Sequence, residues 1–490
     1  MSSQSTPDSL SAVGHVLTDK EQVPDQDSQA VLAEKRPDAS YEVTLEPEDD
    51  PQQKSLFRRW ITVVVIAISA VCIACASSAA AFTEAGVTHA FGVSRVVSVL
   101  GVSLFVQGLG VGPLVVGPLS EVYGRQIIYK ISLFLSFALT WPVAFAPNIV
   151  FRFLSGLFAS SYFCVTGGSM SDMFNDAEVA TPMAFNTIAP FFGPELQPIY
   201  SGFINQNTNW RWTYYTLLIW MFVQLVVTFL LTEETYIPII LKHKAQKYVT
   251  TSLEWKSSDS YVRLRKATGD PNYYAPIERE NKDLLRAIRI SCSRPFQVVF
   301  FDRMVLLLNL WNSVLLGIVY LTFQAFPIIF DKHGFNLQMT GLTFTGILSG
   351  IAIGMCTQPY INWKFRKDEQ KYGELPIEYR LWTGQVGGVI VPISLFWLAF
   401  TTYPSVHWIV PILASVPFGT GMYYIYTSTF TYLVVAYRPI SASVLASNAT
   451  MRTSFAAGFP LFANAMYDRL GTVGATALLA GLMTVMAPLP

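Results

Sequence analysis

The sequence predicts an all-α polytopic membrane protein, with twelve transmembrane helices arranged as two pseudo-symmetric six-helix bundles. Three observations carry this expectation. The chain of 490 residues is 52% hydrophobic and only 13% charged, against roughly 25% charged residues in a soluble globular chain. The apolar residues come as long runs, which points to lipid as the solvent. About twelve of those runs approach the roughly 20 residues a helix needs to cross a bilayer.

The first 56 residues are polar and acidic, rich in Ser, Asp, Glu, Gln and Pro. They cannot bury enough apolar area to fold and are expected to form a disordered tail. No n-region and h-region of a secretory signal open the chain, so the first membrane helix is expected to act as the signal and to stay. The first half, 57–232, holds apolar runs near 60–82, 96–118, 127–146, 149–171, 183–204 and 212–232. A polar stretch follows at 233–302, with segments such as LKHKAQK and ERENKDLLRAIRI that are too charged to span. Within it, 278–290 is expected to form a short amphipathic helix on the membrane surface. The second half, 303–490, holds runs near 303–326, 339–360, 381–401, 407–431, 441–464 and 473–490. The last of these is short, about 18 residues against the usual 20.

Lys and Arg set the expected orientation. Lys54, Arg58 and Arg59 precede helix 1, Arg125 and Lys130 flank the loop between helices 2 and 3, and Lys364, Arg366, Lys367, Lys371 and Arg380 surround the loop between helices 8 and 9. Alternating helices put all of these, the central stretch and Arg438 on one side. Both termini are therefore expected to be cytoplasmic. The two halves also echo each other: helix 2 carries Gly108 and Gly112, and helix 8 carries Gly346, Gly350 and Gly354. Such small-xxx-small spacing lets helices approach closely in lipid, where packing drives association. Its recurrence at matched positions supports a duplicated plan around a midplane site.

Composition also excludes. The net charge is zero, so there is no basic field for nucleic acid. Cys72 and Cys75 have CxxC spacing but lie in a spanning run with no second pair, so no metal site is expected. No GxxxxGK[ST] loop occurs, and ATP-driven pumping has no visible engine. No nucleophile constellation suggests an enzyme.

After helix 2 the chain reads Gly117-Pro-Leu-Ser-Glu121-Val-Tyr-Gly124-Arg125-Gln126. This resembles the G-x-L-x-[DE]-x-x-G-R-[RK] loop signature of the major facilitator superfamily, with Gln126 departing at the last basic position. Gly117 would allow close helix contact, Glu121 would pair with a cation across the domain interface, Gly124 would permit a sharp turn, and Arg125 would anchor the loop. The resemblance implies that this loop latches the two halves and gates their rocking. Helix 4 begins Arg152-Phe-Leu-Ser-Gly156, similar to the family's R-x-x-x-G element. Helix 5 carries Gly193, Pro194, Pro198 and Gly202 in a stretch that looks like the signature of the antiporter branch. With Asn209-Trp-Arg-Trp212 and Phe459-Pro-Leu-Phe462, the chain resembles the fungal drug:proton antiporters from about residue 57 onward. It departs from them at Gln197, where many have glycine, and at Val435, where relatives often have aspartate.

Charges at membrane depth are costly and face a bundle interior or a water-filled cavity. Arg152 reads either as a snorkelling interfacial arginine or, by the resemblance, as a residue that senses proton movement. Glu195 is the only carboxylate well inside a span of the first half and suits a group that takes and releases a proton. Arg452, in helix 11, would balance Glu195 or bind an anionic substrate. Asp172 reads as a helix-end or loop-latch residue. The Gly and Pro residues mark helix 5 as a bent, close-packed gating element. The cavity lining is expected to mix aromatic and neutral polar groups: Gln107, Asn186, Asn309, Asn312, Gln324, Gln385, Tyr423, Tyr424 and Asn448.

The resemblance implies a proton-coupled exporter of drugs, toxins or secondary metabolites, working by alternating access as a monomer in the plasma or vacuolar membrane. The expected partners are a small molecule, protons and lipid, with no cofactor beyond the coupling proton. A polyamine or organic-acid transporter and a non-transporting membrane sensor stand as alternatives.

Overall fold

The computed structural model describes residues 45, 49–145, 149–175, 178–187, 189–244, 284–373, 375–437 and 440–489. The expected tail and most of the central stretch lie outside them. The chain divides into two compact units. The smaller, residues 1–49 and 237–281, holds few described residues, among them Lys244 and Asp49, paired at 2.7 Å. The larger, residues 50–236 and 282–490, carries the helices that follow.

Ten helices among the described residues are long and apolar enough to cross a membrane. They include α1 (Leu56–Phe82), α2 (Arg95–Tyr123), α3 (Arg125–Phe145), α4 (Val150–Met173), α6 (Arg211–Leu231), α7 (Arg303–Asp331), α8 (Leu337–Tyr372), α9 (Ile377–Phe400) and α10 (Ile409–Ala436). The tenth, Ser441–Met486, is two helices merged across Gly471, whose backbone is left-handed at φ 69°. These are α11 (441–470) and α12 (472–486). The remaining helix, α5, is Ala180–Thr187 followed by Ala189–Asn207. Its prolines, Asn residues and Glu195 make it less apolar than the ten. Twelve helices therefore fold as expected, and no strand occurs among the described residues.

Several boundaries differ from the sequence reading. α4 is broken into Ile149–Ala159, Ser161–Cys164 and Thr166–Met173. α8 runs on to Tyr372, well beyond the apolar run, because its polar last turns need no lipid. The expected surface helix at 278–290 appears instead as Leu284–Phe301, lying along α2 and α11 and leading into α7. There Asp302 caps α7 by accepting from the backbone N–H of Met304 at 2.9 Å and Val305 at 3.2 Å. Tyr437, just after α10, donates to the same carboxylate at 2.6 Å.

The glycine repeats do the same work in both halves. A Cβ on Gly108 would lie 2.3 Å from the carbonyl oxygen of Phe153, and one on Gly156 2.1 Å from that of Phe105, so α2 and α4 touch backbone to backbone. In the second half a Cβ on Gly350 would lie 2.0 Å from the carbonyl oxygen of Val416, and one on Gly419 2.3 Å from that of Ile347. This is the matching contact of α8 with α10. Gly458 faces open space. Gly108→Ala or Gly350→Ala is expected to lower the yield of monodisperse protein and its thermal midpoint, since a backbone neighbour cannot step aside. Gly458→Ala should leave both unchanged when the purified variants are melted in detergent.

Candidate functional site

The chain's chemistry concentrates on α5. Pro198 has no N–H, so the carbonyl of Pro194 loses its partner within the helix. Ser78 of α1 donates to that oxygen at 2.9 Å, and the thiol of Cys75 donates to the carbonyl of Gly193 at 3.2 Å. The contact is close because residue 193 is glycine: a Cβ there would lie 2.4 Å from Ala74 Cβ and 2.7 Å from the carbonyl oxygen of Val71. Cys72 and Cys75, both buried, are thus packing groups of α1.

Glu195 sits inside this contact. It is fully buried, and both carboxylate oxygens lack a hydrogen-bond partner among the described residues. Gln197, two residues on, is likewise buried with both amide atoms unpartnered. Buried polar groups are nearly always bonded, so such orphans call for an explanation. The sequence singled out Glu195 correctly as an enclosed carboxylate, but the expected balance with Arg452 is absent: no ion pair joins them among the described residues. Arg452 lies instead against aromatic rings, its Cζ 5.1 Å from the centroid of Phe430, 5.7 Å from Tyr426 and 5.9 Å from Phe191. Phe191 and Tyr426 themselves stack at 4.4 Å and 27°. This aromatic enclosure was not legible, because its members come from α5 and α10 at positions that read as ordinary core.

Arg152 is not a snorkelling residue: it is 2% exposed. Its Nε donates to the carbonyl of Gly101 at 3.0 Å, its Nη2 to that of Ala76 at 3.3 Å, and its guanidinium faces Phe105 and Tyr214. It has no carboxylate partner among the described residues.

The loop signature forms a compact assembly at the basic end of the helices. Gly124 adopts φ 94°, the turn expected of it. Arg125 pairs with Asp172 of α4, stacks over Tyr236, and fills the space left by Gly168, where a Cβ would meet the guanidinium at 2.4 Å. Glu234, just after α6, accepts from the backbone N–H groups of Arg125 at 3.0 Å and Gln126 at 3.1 Å. A carboxylate there satisfies donors left free at the start of α3. Gln126, the departure from the family pattern, donates to the carbonyl of Thr232 at 2.6 Å. Two expectations fail. Glu121 is exposed and makes no ion pair among the described residues. Gly117 is not at a close contact, since a Cβ there would reach only Cys164 Sγ at 3.5 Å. The partners Asp172 and Gly168 belong to α4 and Glu234 to the segment after α6, and only Asp172 was visible as a helix-end charge.

The polar residues expected to line a cavity separate into groups. Asn309 donates to Ser447 at 3.0 Å and accepts from Asn448 at 2.9 Å, which ties α7 to α11. Asn186 donates to the carbonyl of Pro182 at 3.1 Å, and Tyr424 bonds Thr357 at 2.9 Å. Tyr423 donates to Gln358 at 3.3 Å. Gln107 donates to Ser454 at 3.3 Å, joining α2 and α11. Gln324 is buried in α7. Asn312 is buried with both amide atoms unpartnered among the described residues. Gln385 is exposed on α9, as are Val386 and Val389.

The two halves meet across α1–α7, α2–α11 and α5–α8. Ser77 and Tyr320 hydroxyls lie 2.7 Å apart, and Thr450 donates to the carbonyl of Gly110 at 2.9 Å. At the end opposite the basic loops, a Cβ on Gly202 would lie 2.8 Å from the carbonyl oxygen of Leu337, one on Gly341 2.4 Å from that of Pro198, and Gln206 accepts from Leu337 N–H at 3.2 Å.

Comparison with known proteins agrees with this arrangement. The family model described as Major Facilitator Superfamily matches residues 66–460. An efflux pump of Aspergillus terreus, atB, is 43% identical over 77% of this chain and 79% of its own length. A probable drug/proton antiporter of Saccharomyces cerevisiae, YHK8, is 35% identical over 92% of this chain and 87% of its own. Among solved structures, a D-xylose-proton symporter superposes with TM-score 0.59 at 15% identity, over 87% of this chain and 96% of that one.

Arg125 and Asp172 test the latch. Their side chains are only 12% and 17% exposed. A double-mutant cycle with Arg125→Ala and Asp172→Asn is expected to give a coupling of about 1–3 kcal/mol, as for hydrogen bonds between charged groups, read from chemical unfolding. Independent effects of the two substitutions would show that the pair does not hold the loop.

Proposed function

This chain belongs to the major facilitator superfamily, and we propose that it exports small organic compounds in exchange for protons, with Glu195 carrying the proton. The observation behind this is the sealed carboxyl of Glu195, unpartnered among the described residues, on a helix that carries two prolines. Burying a lone carboxylate is far costlier than burying its neutral acid. A proton on Glu195 would therefore favour the closed contact of α5 with α1, and its loss would favour an arrangement that admits water. That couples protonation to helix position, which is what exchange requires. The kinship to an efflux pump and a drug/proton antiporter supports the direction of transport.

The rest of the reading follows from charge and packing. The basic loops face the cytoplasm, with both termini, and the α5–α8 contact at Gly202 and Gly341 closes the outer end. The substrate enters from the cytoplasmic side between the halves. The Arg125–Asp172–Glu234 assembly holds the first half rigid as it rocks, and Arg152, bonded to a backbone carbonyl of each, supports α2 against α1. The protein works as a monomer in the plasma membrane.

The test uses inverted membrane vesicles and a panel of labelled cationic, neutral and anionic compounds. At least one compound is expected to accumulate when a proton gradient is imposed. A protonophore should abolish that accumulation, and Glu195→Gln should lower the gradient-driven rate by about 10-fold or more, the usual scale for a proton-transfer group. Accumulation indifferent to both would overturn the proposal.

A further inference from the structure

The two arginines inside the spans, Arg152 buried and Arg452 half-buried, differ in one respect. Arg152 donates from Nε and Nη2 to backbone carbonyls, whereas Arg452 has Nε and Nη1 enclosed and without partners among the described residues. Resting on the exporter reading above, we propose that Arg452 recognises the carboxylate of a small planar organic acid, whose ring lies along Phe191, Tyr426 and Phe430.

The chemistry of the enclosure selects this class. A guanidinium offers only donors and a fixed positive charge, so its complement is an acceptor, best an anion. No carboxylate of the protein pairs with it among the described residues. Glu195 lies one helical turn beyond Phe191 but forms no ion pair with it. Asn312, on α7, adds a second unpartnered donor: its Nδ2 is unbonded, and its backbone carbonyl accepts from Tyr426 Oη at 3.0 Å. The same enclosure repels organic cations. Its walls are flat faces on which a planar ring can stack, Phe191 and Tyr426 lying in contact with each other at 4.4 Å until the halves move apart. Phe191 belongs to the first half, while Tyr426, Phe430 and Arg452 belong to the second. Movement of the halves therefore opens and closes the enclosure, which is how a transported molecule would enter and leave it.

The test is equilibrium binding to the purified full-length chain in lipid nanodiscs, by calorimetry and with no proton gradient. The probe is benzoate, compared with benzamide and benzylamine, which share its ring, and cyclohexanecarboxylate, which shares its charge. Benzoate should bind, with benzamide and benzylamine weaker by about 10-fold or more, the scale of one charge-assisted bond. Cyclohexanecarboxylate should be weaker by about 3-fold or more for want of a flat face. Arg452→Gln should lower benzoate affinity by about 10-fold or more, and Arg452→Lys should retain more of it. If Arg452→Gln does not fold, the ligand comparison on the unaltered chain still decides. Equal binding of benzoate and benzamide, an unchanged Arg452→Gln, or no benzoate binding up to about 10 mM, a ceiling near −2.7 kcal/mol, would each overturn the proposal. Proton-driven accumulation of neutral or cationic compounds by the same chain would then leave the exporter reading standing without the acid.

Discussion

Backbone groups in lipid must find partners inside the protein, and that constraint organises the site more than any charge does. Pro198 frees the carbonyl of Pro194, and the partner that replaces the missing N–H is Ser78 of the neighbouring helix. To bring that hydroxyl within reach, α1 and α5 must nearly touch, which needs glycine at 193 and small residues opposite, such as Ala74 and Cys75. The close contact then excludes water from the next residues, and Glu195 becomes an enclosed carboxyl as a consequence. The missing helical hydrogen bond, the glycine contact and the isolated acid are one feature. A regular α5 would satisfy its own carbonyls and have no reason to lie so close to α1.

The two halves use the same device at matched places. α2 meets α4, and α8 meets α10, through reciprocal glycine contacts that bring backbone against backbone. Such contacts are rigid because neither side has a side chain that can yield. Each half can then move as a body, and change is confined to the seams between them. Those seams are made of softer groups: hydroxyls such as Ser77 and Tyr320, a stacked pair at Phe191 and Tyr426, and the side chain of Gln206. Rigid within and adaptable between is the mechanical requirement of alternating access.

Much of this was legible in the sequence. Runs of apolar residues located the helices, and the Gly-rich repeats located their closest contacts. The loop motif located the turn at Gly124 and the anchor at Arg125, because local spacing determines both. What the sequence could not convey were partners distant along the chain. Arg125 pairs with Asp172 and stacks on Tyr236, and Glu234 bonds the start of α3 from the far end of α6. Glu121 and Gly117 were overread, because a motif position states which residue stands there and not what it meets. The polar residues of the helices divided for a similar reason. Asn309 and Asn448 look the same in sequence as Asn312, yet the first two bond each other and the third is left unpartnered.

Glu195 and the Phe191 wall of the aromatic enclosure stand one turn apart on the same helix, and that placement bears on coupling. Any displacement of α5 that exposes the carboxyl also shifts one wall of the enclosure against the second half. Proton and substrate therefore act on one moving element, and each must alter the affinity for the other by the same factor. The electrical consequence favours export of an anion. An inward proton and an outward anion both move positive charge inward. An inside-negative membrane then contributes about 2.3 kcal/mol per charge for every 100 mV. Exchange of a proton for a monovalent cation would gain nothing from that potential. If Glu195 carries the proton as proposed, an Arg452 with no carboxylate partner among the described residues fits a site in which substrate charge and membrane potential act in the same direction.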